Sequence, residues 1–396
     1  MRHFIWRAGV VLLALCSSGV SFADEADMAP GISDAQLAAI GQRWATALNA
    51  GDAASLRAVL DSEGLALRSA ASFSANETEK AQFVRGFVNG TDRVVQGWIA
   101  EIESAEGQAR FLKVHTFDGM RGPLLRYDLG DSGYNYVLLI VEARGSAAPR
   151  VADMFLATSG QRLSDTLGAV TRLIAAPDES VIGKVFGLTT VDQELAALFR
   201  TIGRLRLLGR FDEAYAMIVQ LPEEVRNHRV MLNISLPLAS QLGEDVYRDE
   251  LARLARYHGD DPTTAFALID YYVYEGDLDA AMKSTLAMER AFGKDAAIAE
   301  LKAAIAIADG DLARARAHAQ EGVGLEPMNE SVRWTLLSIL MMAEAYADGI
   351  RVLEGLEADF EYELEGASFA DNEVYAEFVK APEYAAWAAK RGGGTP

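Results

Sequence analysis

The spacing of apolar residues changes period twice along the chain, and these changes divide it. Leu37, Ile40, Trp44, Ala47 and Leu48 recur at helical spacing behind Ser33, a residue that caps helices, with Asp34 and Gln36 in the first turn. Gly51 ends that helix, and Asp52 can cap a second, shorter one reaching Leu60. Residues 77–88 are helical in pattern, with a resumption over 94–102. Four short runs rich in Val, Leu, Tyr and Phe follow, at residues 109–116, 123–129, 134–142 and 150–157. They are separated by Asp118-Gly119, Gly130-Asp131-Ser132-Gly133 and Gly145-Ser146, residue types that tolerate the positive φ of tight hairpins. Helices followed by an antiparallel meander predict an α+β domain over residues 33–175, ending in a helical stretch over 162–174 with Ser164 and Asp165 near its start. Residues 176–190, with Pro177, Gly183 and Gly187, are the best linker.

From residue 191 the helical period returns and repeats. Glu275-Gly276-Asp277-Leu278-Asp279-Ala280-Ala281 recurs as Asp309-Gly310-Asp311-Leu312-Ala313-Arg314-Ala315, an offset of 34 residues. Aligned on the turn, the series is Gly209, Gly243, Gly276 and Gly310, with spacings of 34, 33 and 34, and one more step of 34 lands on Glu344. Such a period predicts stacked helical hairpins. Five residues beyond each turn stand Ala214, Arg248, Ala281, Ala315 and Gly349; a small side chain there lets the second helix approach the first. The second repeat departs most. Arg248 replaces the small residue, and Pro237 falls inside its first helix, where a proline removes a hydrogen bond. Pro262 and Pro327 mark repeat ends. Residues 363–391 read as a closing cap: Val374, Tyr375, Phe378 and Val379 form one apolar stripe, and Pro382 opens a helix carrying Tyr384 and Trp387. Gly392-Gly393-Gly394 is a flexible tail.

Residues 191–362, best in the Gly-Asp-Leu-x-x-Ala of the third and fourth repeats, resemble the tetratricopeptide repeat (TPR) family. That resemblance implies a right-handed α-solenoid of about five helix pairs with a concave binding face. Trp44-Ala45-Thr46-Ala47-Leu48-Asn49-Ala50-Gly51-Asp52, with Leu56 and Leu60 behind it, resembles the opening helices of the NTF2-like (SnoaL-like) superfamily. This second resemblance implies helices packed into a curved antiparallel sheet. The expected fold is thus multidomain and mainly α: an α+β N-terminal domain, then a TPR-like α-solenoid.

Composition narrows the function classes. The chain has 396 residues, half of them hydrophobic, enough for two or three ordinary domains. Residues 1–23 carry Arg2 and Arg7, an apolar run from Ala8 to Val20, and Ser21-Phe22-Ala23 before Asp24, the pattern of a secretory signal peptide cut after Ala23. The run is too short for a membrane anchor. Leu13-Ala14-Leu15-Cys16 resembles a lipoprotein box only distantly, because Leu15 fills a slot that normally takes Gly, Ala or Ser, so lipidation through Cys16 is not expected. Cys16 is the single cysteine, so cleavage leaves no thiol for disulfides, thiol catalysis or zinc. The formal charge is −20, and losing the two arginines of residues 1–23 takes it to −22, which repels nucleic acid and anionic membranes. The predicted compartment is periplasmic or extracellular.

Chemistry-bearing motifs are sparse. The five histidines are scattered, with no metal-ligand spacing, no Gly-x-Ser-x-Gly and no phosphate-cradling loop. No metal or cofactor is expected. Asp277, Asp279, Asp309 and Asp311 read as helix caps and solvated charge, not calcium ligands. By strand alternation Arg126 and Asp128 share a face; with Asn135, Asp153 and His115 from neighbouring strands they could line a ligand pocket, Asp128 or Asp153 as base and Arg126 as anion holder. The ordinary reading is that they face solvent or form a structural ion pair. Among the repeats, Phe266, Asp270, Tyr271 and Tyr274, and Trp334 further on, are candidate partner-binding residues; their ordinary reading is packing between repeats. TPR modules that grip a C-terminal carboxylate use Lys, Arg and Asn on their first helices. Phe199, Gly203, Phe266, Asp270, Glu300 and Ala304 stand there instead, so that clamp is not expected. The leading expectation is an exported, non-enzymatic scaffold that binds a protein or peptide of the cell envelope. The alternative is a small-molecule binder or enzyme using the N-terminal domain.

Overall fold

The computed structural model describes residues 31–71, 77–130, 133–144, 147–165, 167–168, 193–259, 264–360 and 373–391, with Tyr362, Leu364 and Phe369. The leader with Cys16, the linker 176–190, Asp131-Ser132, Gly145-Ser146, Pro262 and the triple-glycine tail lie outside the described residues.

Ser33 opens α1 (Asp34–Asn49) through a capping box with Gln36, each side chain satisfying the other's end of the turn. The stripe Leu37, Ile40, Trp44 and Leu48 is buried. Asp52 caps α2 (Ala53–Val59) by accepting from two backbone N–H groups. Two features differ from the sequence reading. Helix α3 (Ser62–Ala71), which no period announced, starts on the side chain of Asp61, whose Oδ1 accepts from the Gly64 N–H at 2.9 Å. Helix α4 (Glu77–Ser104) is continuous where two pieces were expected; Gly90 and Thr91 are carried inside it, Thr91 bonding back to the Phe87 carbonyl.

The strands form where the alternating runs predicted them: β1 (Gln108–Phe117), β2 (Met120–Asp128), β3 (Tyr134–Glu142), β4 (Arg150–Leu156), and a two-residue β5 (Gln161–Arg162) that the pattern is too short to reveal. They make one antiparallel meander in the order β1-β2-β3-β4-β5. Asp118 and Gly119 both have positive φ, 48° and 74°, the two-residue hairpin geometry that matches strand twist. One sheet face, with Leu125, Tyr127, Leu129, Val137, Leu139, Val141, Val151 and Leu156, packs on the helices around Trp44, Leu48, Leu56, Trp98 and Ile99. Trp44 stacks on Trp98 at 5.6 Å, and its indole N–H donates to the Tyr127 hydroxyl at 2.8 Å, which satisfies the polar end of a fully buried ring. Asn49 bonds both backbone groups of Ala109, fastening the end of α1 to the edge strand. Gly41 lies where α1 crosses the sheet; a Cβ there would come within 2.4 Å of the Phe111 ring.

The remaining described chain is helical: α5 (Gln193–Leu207), α6 (Phe211–Val219), α7 (Glu223–Arg226), α8 (Arg229–Leu242), α9 (Glu244–His258), α10 (Leu268–Tyr274), α11 (Leu278–Phe292), α12 (Ala296–Ala308), α13 (Leu312–Leu325), α14 (Glu330–Met342), α15 (Tyr346–Phe360) and α16 (Pro382–Lys390). The molecule is therefore mainly helical, with an antiparallel sheet N-terminal to a helical region. It divides into two compact units, one ending at Tyr274 and one beginning at Glu275.

The turns between paired helices carry a common backbone signature. Gly209, Gly276 and Gly310 have φ of 69°, 72° and 76°, and Glu344, where glycine is lost, keeps φ at 53°. Ala214, Ala281 and Ala315 are fully buried, and a Cβ on Gly349 would meet the Met341 methyl at 2.2 Å. The second repeat corrects its expected alignment. Gly243 takes a different conformation (φ 128°) and is itself the N-cap of α9, so the helix starts one residue early. The inward position is then Tyr247, buried, while Arg248 points to solvent. Helix α8, expected to be disturbed at Pro237, runs through it from Arg229 to Leu242.

Candidate functional site

The sheet was the one place where chemistry could converge. The register pairs Arg126 with Tyr136 and Arg110, His115 with Gly122, and Asp153 with Ile140. By alternation Arg126, Asp128, His115 and Asp153 share the face opposite the one that packs on α1 and α4, whereas Asn135, opposite Tyr127, lies on that packed face. Sharing a face brings Arg126 to Asp128 but leaves Asp153 and His115 apart from them. At about 4.8 Å between strands and about 3.4 Å per residue, the Cα of Arg126 lies roughly 17 Å from that of Asp153 and roughly 14 Å from that of His115. No reacting atom is within reach of all three.

Each group is instead engaged locally. Arg126 is fully buried; its Nε donates to Asp128 Oδ1 at 2.5 Å, and its guanidinium lies 5.4 Å from the centre of the Tyr134 ring. Asp153 accepts from the Ser164 hydroxyl at 2.5 Å, the Ser164 N–H at 3.0 Å and the Met154 N–H at 2.8 Å. Burial pushes its carboxyl up to about 6, against the downward pull of the Ser164 and Met154 hydrogen bonds. Asn135 accepts from the Thr158 N–H at 3.4 Å. Among the described residues no group of three or more His, Cys, Asp or Glu could hold a metal ion.

The aromatic candidates of the helical region split between the two units. Tyr271 and Tyr274 are half-buried against a core of Leu232, Leu236, Tyr247, Leu251, Leu254 and Leu268, and Tyr271 stacks on Tyr272 at 5.5 Å. Phe266 precedes α10 instead of lying on it, because that helix begins at Leu268. Asp270 is buried and faces Tyr247, whose hydroxyl it pushes up after the larger effect of burial. Trp334 makes an edge-on contact with Tyr362 at 5.7 Å, and both rings bond the Glu330 carboxylate. These rings pack as core contributors, and each keeps a half-exposed edge.

Several buried charged groups gave no sequence signal. Glu250 is 2% exposed and accepts from Tyr215 and Ser235, joining α6, α8 and α9. Glu300 accepts from Ser331 and Thr335, both at 2.7 Å, tying α12 to α14. Lys302, 4% exposed, donates to Glu289 and Glu321 and so bridges α11 and α13. A lone Glu or Lys inside an alanine-rich helix looks like a solvated charge until its neighbours are known. The one sequence hint is that Glu300 and Lys302 interrupt a run otherwise apolar on every side, residues 296–308.

No family model, no curated protein and no solved structure matches the chain. No described helix is long and apolar enough to cross a membrane.

Proposed function

We propose that this chain is an exported, non-enzymatic scaffold whose helical region, a TPR-like array, binds a protein or peptide partner of the cell envelope. The observation that carries the reading is the turn series. A left-handed residue recurs at positions 209, 276, 310 and 344, and the buried small residue recurs five positions on, even where Gly has given way to Glu. Such an array offers an extended surface and little enclosed volume, which suits macromolecular ligands. Within the second unit α12 packs on α14 as well as on α13, the next-but-one contact expected of stacked hairpins. The half-exposed edges of Phe266 and Tyr271 are the anchors assigned to the partner. The alternative, a small-molecule site or enzyme in the sheet domain, loses support from the dispersal of Arg126, Asp153 and His115 and from the apolar filling between sheet and helices.

The test is affinity capture with the full chain lacking residues 1–23, from an envelope extract, beside a Phe266→Ala, Tyr271→Ala variant of unchanged helical circular dichroism. A specific protein retained by the parent and lost by the variant is expected. Equal retention by both, or a small molecule that raises the melting temperature while no protein is retained, would overturn the reading.

A further inference from the structure

Among the described residues the sheet has one long edge. In the order β1-β2-β3-β4-β5 the outer strands are β5, of two residues, and β1, of ten. An outer strand presents a row of N–H and C=O groups on which another strand can add. The register locates them on β1. Asp118-Gly119 is a two-residue loop, so Phe117 and Met120 bond each other across it, and alternation makes His115–Gly122 and Lys113–Leu124 the next bonded pairs. Val114 and Thr116, between those pairs, therefore turn both backbone groups outward, away from β2. No described residue takes up these groups. Nearer its start the strand shows what fits there. Ala109 also faces outward, and the Asn49 carboxamide accepts from its N–H at 2.7 Å and donates to its carbonyl at 2.9 Å. One side-chain amide thus fills the place of a neighbouring strand's peptide group.

The side chains select the occupant. Arg110, Lys113 and His115 stand opposite Arg126, Leu124 and Gly122, so they share the face opposite the one that packs on α1 and α4. Residues 108–117 hold no acid, in a chain of formal charge −20. Lys113 is half-buried and forms no ion pair with a described residue. On the packed face Phe111 and Val114 are half-buried against the core, and Thr116 is exposed. A strand added to this edge sets one row of side chains beside Lys113 and His115 and the alternate row beside Val114. We propose that β1 takes up an extended segment of a partner protein whose residues alternate acidic and apolar, paired through Val114 and Thr116. The register shift between Phe111 and Lys113 and the cations beside it are devices that keep indiscriminate apolar strands off an edge, and they leave room for an acidic one. A second copy of β1 fits worse, because it gathers the cations of both copies with no acid between them. This edge is independent of what the helical array binds.

The test titrates the full chain lacking residues 1–23 with a short synthetic peptide in which glutamate alternates with valine. Binding is expected, with amide exchange at Val114 and Thr116 slowed about tenfold or more. The same peptide with lysine for glutamate is expected to bind about tenfold more weakly. Lys113→Glu is expected to reverse that preference, and its binding of the lysine peptide also shows that it is folded. Thr116→Pro removes one outward N–H and leaves the ladder to β2 intact, so it is expected to lose the acidic peptide with unchanged circular dichroism. Failure of the acidic peptide to bind, equal binding of the two peptides, or binding that leaves Val114 and Thr116 exchanging as before would overturn the proposal. So would a Thr116→Pro variant that binds like the parent, or a parent that self-associates through this edge without peptide.

Discussion

Glu101 lies on α4 between the apolar pair Trp98–Ile99 and Ile102, a position that reads from sequence as ordinary solvated charge. The fold half-buries it near Tyr127, and its Oε1, out of contact with solvent, has no hydrogen-bond partner among the described residues. Burial alone pushes its carboxyl from 4.5 up to about 9. The sign follows from which state holds the proton. The unfolded chain releases it near pH 4.5, while the folded chain keeps it until about pH 9. Stability from this group is fully present below pH 4.5 and is lost as the pH rises toward 9. Asp153 acts in the same direction over the range from its ordinary 3.8 to about 6. Glu101→Gln keeps the shape and removes the titration. In urea unfolding the gap between the two proteins is expected to widen in favour of the variant by about 2 kcal/mol from pH 7 to pH 9. Parallel pH profiles would mean that the carboxylate reaches water.

At the scale of elements, the periodic features were legible and the exceptions to them were not. Ser33, Asp52, Asp277 and Asp311 all cap the helices expected of them, because capping depends on residues within one turn. The four longer strands and the Asp118–Gly119 hairpin were legible for the same local reason. The second repeat was misaligned because its glycine caps α9 directly, a one-residue deletion that exchanges Arg248 for Tyr247 at the buried position. Polar strand residues showed their faces but not their separations, and the alternative of a ligand pocket lined by Arg126, Asp128, Asn135 and Asp153 depended on separations. The turn signature gives a paired prediction. Glu344→Gly relieves a left-handed non-glycine residue and is expected to stabilise by about 1 kcal/mol. Gly310→Ala has open space around its Cβ but sits at φ 76°, so backbone strain alone is expected to destabilise by about 1 kcal/mol. Thermal melts of both variants, moving in opposite directions from the parent, are the check. A Glu344→Gly melt at or below the parent would show that the turn at 344 is not held like the other three.

At the scale of the molecule, the question is what joins the sheet to the first helices inside the unit ending at Tyr274. Sequence suggested separate domains across residues 176–190, and a buried cation makes one described contact between them. Arg229, 8% exposed, opens α8 and donates from Nη2 to the Ser159 carbonyl at 3.0 Å and from Nε to Asn233 Oδ1 at 3.3 Å. Ser159 lies in the turn between β4 and β5, so the bond spans 70 residues of chain. A guanidinium taken from water is retained only where its donors are satisfied, and one of those donors is spent on the far segment. Arg229→Met keeps the aliphatic stem in place and removes the donors. It is expected to cost about 2 kcal/mol. Hydrogen exchange separates a tie from a local helix contact. If Arg229 joins the two parts, amide protection falls together in α8 and in residues 157–162, while α1 and α14 keep theirs. If exchange rises in α8 alone, the bond to Ser159 carries no load, and the sheet and helices fold side by side without it.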